Sequence, residues 1–541
     1  MTERGISRLK KIFMRTGVVP YETVTPADCL TKNVLGGNSG NLLYQYSMVK
    51  ALSTEGTVVV PSRYKVDLND ADRINQECSS FVIPLADAFR PDFMKELREL
   101  TELIKRLTIP CIVTGVGVRT AYEPELKMSF PFDEEVKKFV NAVLEKSSML
   151  GLRGEITGKY LKRLGYQEEK DFTVIGCPSL YANGPHMKLK PVNLSRDSVI
   201  SLNALLYSKQ NLEHFITRTS ERYPNHYFVG QEKMELRLLY TGCEFRASEE
   251  YPCNSVDSAY YQNERARFFI NVPSWLDFMK QMDVSAGPRF HGNVAAILAG
   301  TPAILLATDA RTREFMEYHK IPGIAQKDIR EDMNLEDIVD KADFHGMETG
   351  HQKNFEYFVE FLNKNGLENI YQEKQEKDYF AERMERISAY PEVKPVIHHT
   401  NETFENGVKL SYDWLVDHYY TFGANYYLLS KWMDAKAKGR SVIDYFQTKG
   451  IHRIAIYGIH DISHKLYEEL KESKDVSIAY VIEPDSGQVF HGIPVQTLEQ
   501  SDFTKVDSIV VAKVSEFAEI RKKFPDESRI VSLREIMDAL N

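Results

Sequence analysis

The run Ser285-Ala286-Gly287-Pro288-Arg289-Phe290-His291-Gly292-Asn293-Val294-Ala295-Ala296-Ile297-Leu298-Ala299-Gly300 decides the fold class. Residues 284–287 read as a short buried strand ending at Gly287. A helix of small residues starts near His291 and stops at Gly300, and Thr301-Pro302 breaks the chain before a further strand at 303–306. Strand, helix and strand at this spacing make a βαβ unit of an open parallel sheet. Such sheets bind ligands beyond the carboxyl ends of their strands. The helix start offers unpaired N–H groups and the positive end of a dipole, which suit a phosphate or carboxylate. Arg289 adds a planar fork that meets either anion bidentately, and His291 exchanges protons near neutrality. Two basic side chains at a helix N-terminus oppose its dipole, so stability alone would not place them there.

Working outward, the same alternation covers much of the chain. Towards the N-terminus, Gly36-Gly37-Asn38-Ser39-Gly40-Asn41 is a glycine-rich turn opening onto a helix. Strands are expected at 57–60, 80–83, 111–116 and 173–175, and helices at 93–107, 133–146 and 156–164. A second cycle has strands at 198–203, 226–230 and 284–287, with helices at 211–222 and 274–281. Residues 347–440 are helical, charged and rich in Tyr and Phe, with no strand signal. The last hundred residues begin with Arg453-Ile454-Ala455-Ile456-Tyr457-Gly458, a strand and glycine turn, and continue as a small Rossmann-like unit. The expected class is therefore α/β, with two facing Rossmann-like domains, a helical connector and a C-terminal Rossmann-like domain. The expected boundaries are a basic segment 1–20, domains 21–190 and 191–346, a connector 347–440 and a final domain 441–541.

Composition narrows the function. The chain has 541 residues, 43% of them hydrophobic and 27% charged, which is ordinary for a globular protein and too long for one core. A net charge of −9 argues against nucleic acid as a partner. Six scattered cysteines without a CxxC suggest a reducing, cytoplasmic compartment. The histidines do not pair with Cys, Asp or Glu at ligand spacing, so no metal and no cofactor are expected. The start carries Arg4, Arg8, Lys10, Lys11 and Arg15, with Ile6, Leu9, Ile12 and Phe13 on one helical face. It reads as a short basic helix, packed on the body or frayed; the same face would suit peripheral contact with an anionic inner membrane face.

Several of these segments resemble the polysaccharide pyruvyl transferase family. The resemblance is carried by Arg289-Phe290-His291-Gly292, by Gly300-Thr301-Pro302 and by Asp309-Ala310-Arg311-Thr312-Arg313-Glu314. Residues 37–41, Gly115-Val116-Gly117, Leu152-Arg153-Gly154 and Gly176-Cys177-Pro178-Ser179 add to it. It covers roughly residues 30–330. Asn41 stands where many members carry an acidic residue, and Cys177 where Asp is common. The resemblance implies a fold of the GT-B glycosyltransferase type and transfer of pyruvyl from phosphoenolpyruvate to two hydroxyls of a sugar, forming a ketal. The acceptor would be a glycan or a lipid-linked sugar. It further implies that His291 is catalytic and that Arg153, Arg289, Gly292 and Asn293 bind the donor. Asn38, Asn41 and Arg311 are candidate substrate contacts, although the asparagines also suit capping or turns and Arg311 with Glu314 reads as a solvated pair. Two other readings remain: a GT-B glycosyltransferase using a nucleotide sugar, and a non-catalytic scaffold in polysaccharide assembly. The C-terminal unit is similar to the small nucleotide-binding modules fused to sugar-modifying enzymes. Its turn at 456–463 lacks the later glycines that a pyrophosphate needs, so NAD is not expected there.

Overall fold

The computed structural model describes residues 9–126, 128–372, 377–396, 423–459, 461–483, 489–524 and 526–541. The chain forms two compact units, Met1–Val408 and Lys409–Asn541. Both are built on parallel sheets, as the alternation of strands and helices dictates.

The first unit contains two main sheets. One has the order β2-β1-β3-β4, with β1 Lys10–Met14, β2 Thr57–Pro61, β3 Cys78–Pro84 and β4 Cys111–Thr114. All its pairings are parallel. A bridge from Val116 to Leu152 carries it on towards a short parallel pair, β5 Leu150–Leu152 and β6 Phe172–Val174. β4 is buried along its whole length, as a strand covered on both faces must be. The helix Met94–Arg106 packs on this sheet through Met94, Leu97, Leu100, Leu103 and Ile104, a spacing of three and four that keeps one stripe inward. The helix Asp133–Leu144 does so through Val136, Phe139, Val140 and Val143.

The second sheet has the order β12-β11-β10-β7-β8-β9. Its strands are β7 Ile200–Leu202, β8 His226–Gly230, β9 Ala266–Phe268, β10 Val284–Gly287, β11 Ala303–Ala307 and β12 Gly323–Ala325. All are parallel. Between β10 and β11 lies the helix Phe290–Leu298, buried at almost every position. Its small residues let it sit inside the unit, where the N-terminus of the helix Gly40–Ala51 meets it: a Cβ added at Gly40 would stand 2.6 Å from His291 Nδ1.

The C-terminal unit has one sheet in the order β15-β16-β14-β13-β17-β18. Its strands are β13 Arg453–Tyr457, β14 Ser477–Ile482, β15 Val489–Phe490, β16 Ile493–Gln496, β17 Ser508–Val511 and β18 Ile530–Ser532. The third, second, first, fourth and fifth parallel strands lie side by side, with β15 antiparallel at the edge. This is a doubly wound order. At the expected turn, Glu483 accepts the Ile459 N–H, so a carboxylate holds the backbone group that a bound phosphate would need. His460 lies outside the described residues.

One expectation fails. Residues 10–14 form a strand rather than a helix, with Ile12 2% and Phe13 5% exposed. Buried inside a sheet, they cannot face a lipid surface. Ile6 lies outside the described residues, as do 397–422 of the expected connector. Elsewhere in that stretch the helix Phe344–Lys364 forms as expected, and Val393 makes an isolated bridge to Phe268. Among the described residues no helix is long and apolar enough to cross a membrane.

Candidate active site

A cavity of about 350 Å³ opens in the first unit, lined by both of its main sheets' loops. Residues that follow strand ends build it: Arg15 after β1, Asp87 after β3, Arg153 after β5, Gln231 and Glu232 after β8, and Arg289 and His291 after β10. This is the carboxyl-end rule for open sheets, applied twice. Four helices begin beside it, Gly40–Ala51, Glu155–Arg163, Phe290–Leu298 and Ala310–His319. Asn41, His291 and Arg311 sit in the first turns of three of them, and Arg153 stands just before the fourth. Positive helix ends and arginines therefore share one space, which selects for an anion.

Six arginines line the cavity against two carboxylates, Asp87 and Glu232. Arg153 is 2% exposed, and its Nε and Nη1 have no hydrogen-bond partner. Its guanidinium lies over the Phe315 ring at 4.7 Å, and Phe315 in turn stacks on Phe290 at 3.5 Å. Asp87 and Glu314 offset part of the Arg153 charge, but nitrogens left unbonded this deep still cost stability unless an acceptor meets them. Arg311 is paired loosely with Asp309, at 3.5 Å. Arg289 is more committed: its side chain pairs with Glu232, its Nε donates to the Ala204 carbonyl at 3.0 Å, and its backbone N–H donates to Asn203 Oδ1 at 2.7 Å. Asp87 takes Arg119 at 2.5 Å and Arg90 at 2.9 Å. Burial raises its pKa, but Arg311, Arg153, Arg119 and Arg90 together outweigh that and hold it well below the carboxylate range.

His291 is pulled down to about 3, first by burial and then by Arg153 and Arg311, with Asp87 pulling the other way. In the protein alone it is a neutral imidazole at pH 7, not the near-neutral group expected of a free histidine. Its Nε2 lies 3.9 Å from the Cys177 thiol, itself pushed up by burial and hence also neutral.

Of the residues singled out in the sequence, Asn38, Asn41, Arg153, Arg289, His291 and Arg311 all line this cavity. Gly292 and Asn293 do not. Gly292 is packed against Gln231 and Asn203, whose amide nitrogens a Cβ would meet at 2.8 and 3.0 Å. Asn293 is fully buried and spent on the backbone: its Oδ1 accepts from the Ser285 hydroxyl at 3.0 Å and its Nδ2 donates to the Gly287 carbonyl at 2.9 Å. It fixes the bend between β10 and the helix rather than reaching into the cavity. Asn293→Ala should therefore cost about 3 kcal/mol of stability, since each orphaned buried partner costs about 1–3 kcal/mol; denaturant unfolding measures it, and an unchanged midpoint would contradict this role.

Arg311 and Glu314 are not a solvated pair. Glu314 is 1% exposed and accepts from the Thr157 N–H and hydroxyl, both at 3.0 Å, at the start of the helix Glu155–Arg163. Burial lifts it to about 7 against the pull of Arg153. The helix spacing of 311 and 314 gave no sign of this, because the partner lies in another helix.

Beneath the cavity, His319 Nε2 accepts the Cys177 N–H at 2.9 Å, and burial followed by His351 lowers its pKa to about 3. The unfolded chain binds this proton near pH 6.5 while the folded one does not. Stability conferred by neutral His319 is thus fully present above pH 6.5 and falls at about 1.4 kcal/mol per pH unit down to about pH 3. His319→Gln, which keeps an acceptor for Cys177, should lose less stability between pH 7 and 5 than the wild type in urea titrations. Equal losses would show that other groups set the acid limb.

Asp87, Arg15, Arg90, Arg119, Gln231 and Glu232 escaped the sequence reading. Arg15, Gln231 and Glu232 directly follow strands, and for those three that position was the available signal. Among the described residues no three His, Cys, Asp or Glu side chains cluster as a metal site would require.

No curated protein sequence matches the chain. Among solved structures, it is similar to UDP-GlcNAc 2-epimerase from Neisseria meningitidis bound to UDP-GlcNAc, at 11% identity over 66% of this chain and 100% of that one, with a TM-score of 0.36. It is also similar to Methanocaldococcus jannaschii UDP-GlcNAc 2-epimerase in complex with UDP-GlcNAc and UDP, at 13% identity over 65% and 99%, with a TM-score of 0.35. The family model for polysaccharide pyruvyl transferase matches residues 38–310, half of the chain, which therefore belongs to the polysaccharide pyruvyl transferase family.

Proposed function

We propose that this enzyme transfers pyruvyl from phosphoenolpyruvate to two hydroxyls of a sugar in a cell-surface polysaccharide or its precursor. The observation that carries the reading is Arg153, a buried guanidinium with two unbonded nitrogens on the wall of a cavity it shares with Arg311 and His291. A donor with a phosphate and a carboxylate on three carbons needs two cationic anchors close together, and Arg153 and Arg311 supply them. Arg289 joins them if the donor draws it away from Glu232.

The same anchors set the proton chemistry. Arg153 and Arg311 lower the His291 pKa; an anion neutralising them lifts it, so donor binding brings a proton onto the imidazole. Protonated His291 gives that proton to the terminal carbon of the enol, leaving the central carbon electron-poor. The first sugar hydroxyl adds there and its proton returns to His291. The phosphate then departs with the electron pair of its bond to carbon. The second hydroxyl closes the ring on the same carbon and its proton leaves with the phosphate. Asp87 and Glu232 are the two carboxylates able to accept hydrogen bonds from sugar hydroxyls in the cavity.

Calorimetric titration with phosphoenolpyruvate, on the wild type and on Arg153→Met, tests the reading. Saturable binding lost in the variant supports it. A folded wild type that binds uridine diphosphate but not phosphoenolpyruvate would instead favour a nucleotide-sugar enzyme.

A further inference from the structure

Away from the cavity, the C-terminal unit brings two exposed histidines together. His464 lies on the helix Asp461–Leu470, and His491 lies 27 residues further on, in the hairpin between β15 and β16. Their facing ring nitrogens, His464 Nδ1 and His491 Nε2, stand 2.7 Å apart. A separation of 27 residues across a helix and a hairpin hides such a pair from any search by ligand spacing.

Both rings are held in place. His491 stacks on Tyr467, one turn along the helix from His464, with centroids 4.0 Å apart and planes 6° from parallel. Phe490 packs against both imidazoles, at 4.9 Å from His464 and 4.8 Å from His491. Phe490 is itself buried in the core of the unit and anchors that end of the hairpin. The connection is a two-residue turn: Phe490 pairs with Ile493, and His491 and Gly492 take φ 51° and 85°. Asn and Gly adopt such a pair of positive φ values most readily, so backbone preference does not select a histidine at 491. A hydrogen bond between two exposed rings does not select it either, because water competes for both partners.

Two imidazole nitrogens this close, on rings already fixed, are a donor set for a borderline transition metal ion. At a metal–nitrogen distance of about 2.0–2.1 Å, neighbouring ligand nitrogens lie about 2.9 Å apart in a square plane and about 3.4 Å apart in a tetrahedron. The rings therefore need to part by less than about 1 Å. In the protein alone one ring donates its N–H to the other. On metal binding that proton moves to the outer nitrogen of its own ring, and both facing nitrogens present lone pairs. Glu468, next on the same helix face, is committed to Lys471 at 2.7 Å. The protein thus supplies two ligands and water the rest, in keeping with the lack of a three-residue cluster among the described residues.

We propose that His464 and His491 bind one divalent ion of the nickel, copper and zinc class, which clips the β15–β16 hairpin to the helix Asp461–Leu470. The water-filled positions leave the ion open to a further ligand. None of these residues lines the cavity, so the inference does not depend on pyruvyl transfer.

The test uses the full chain, stripped with a chelator, and calorimetry with nickel chloride as probe. Wild type should bind nickel saturably. The chain has 14 histidines, so the variants decide where. His491→Asn suits the turn, and His464→Gln changes only an exposed helix position; thermal melts establish that both fold. Each should weaken nickel binding by at least about tenfold, the least that loss of even an outer-shell partner usually costs. With copper(II), electron paramagnetic resonance should show two nitrogen ligands in the wild type and one fewer in each variant. No saturable binding by the wild type overturns the proposal. So does equal affinity in all three proteins, which would mean an adventitious ion only, and so does a loss confined to one variant.

Discussion

Replacing His291 by Asn is expected to lower kcat by about 10²- to 10⁴-fold, the range typical of a lost acid–base group, while phosphoenolpyruvate still binds. The sharper readout is protons. With a pKa of about 3 in the protein alone, His291 is neutral at pH 6; with Arg153 and Arg311 neutralised by the donor, its pKa rises. A pKa higher in the complex than in the free protein means proton uptake on binding at any pH between the two values. Calorimetry at several pH values between about 4 and 7, in buffers of different ionisation enthalpy, should thus show uptake by the wild type and less by His291→Asn. Gly40→Ala provides an independent variant. Its new Cβ would sit 2.6 Å from His291 Nδ1 and 2.7 Å from the His291 Cβ, so the imidazole must move, and kcat should fall with no change to any group that meets substrate. Equal proton uptake by wild type and His291→Asn would remove His291 from the proton chemistry.

Arg153→Met is expected to separate binding from stability. Two charge-assisted hydrogen bonds at about 1.5–3 kcal/mol each make donor affinity fall by at least about 10²-fold. The melting temperature should change little, because a linear apolar side chain keeps the contact with Phe315 and two unbonded buried nitrogens disappear, while Glu314 and Asp87 lose part of the positive charge that acts on them. If instead the protein melted several degrees lower and bound phosphoenolpyruvate normally, Arg153 would be a structural counter-ion for Glu314 and Asp87 rather than a donor anchor.

Much of this was written in local pattern. β8 and β10 begin and end where the apolar runs do, at His226–Gly230 and Val284–Gly287, and the turn into the helix Phe290–Leu298 brings Arg289 and His291 to the cavity. β1 was not legible because Lys10, Lys11 and Arg15 bracket its apolar residues, and Ile12-Phe13-Met14, buried in succession, shows no alternation. Misreading that strand hid Arg15, which owes its place to following it. β9 and β12 are three residues each, too short for any period to register. The commitments of Asn293 and Glu314 were hidden for another reason: adjacency to a motif says nothing about which polar atoms the backbone or a neighbouring helix has already claimed.

β1 runs between β2 and β3, parallel to both, and registers with β2 from Lys10 to Met14 and with β3 from Lys11 to Met14. Tension applied at that end of the chain would load the hydrogen bonds on both flanks together, in shear, rather than opening them one at a time as in a hairpin. A handle attached ahead of residue 9 would therefore pull against the middle of a sheet, and the unit that holds the cavity should resist extraction from that side as a single mechanical block.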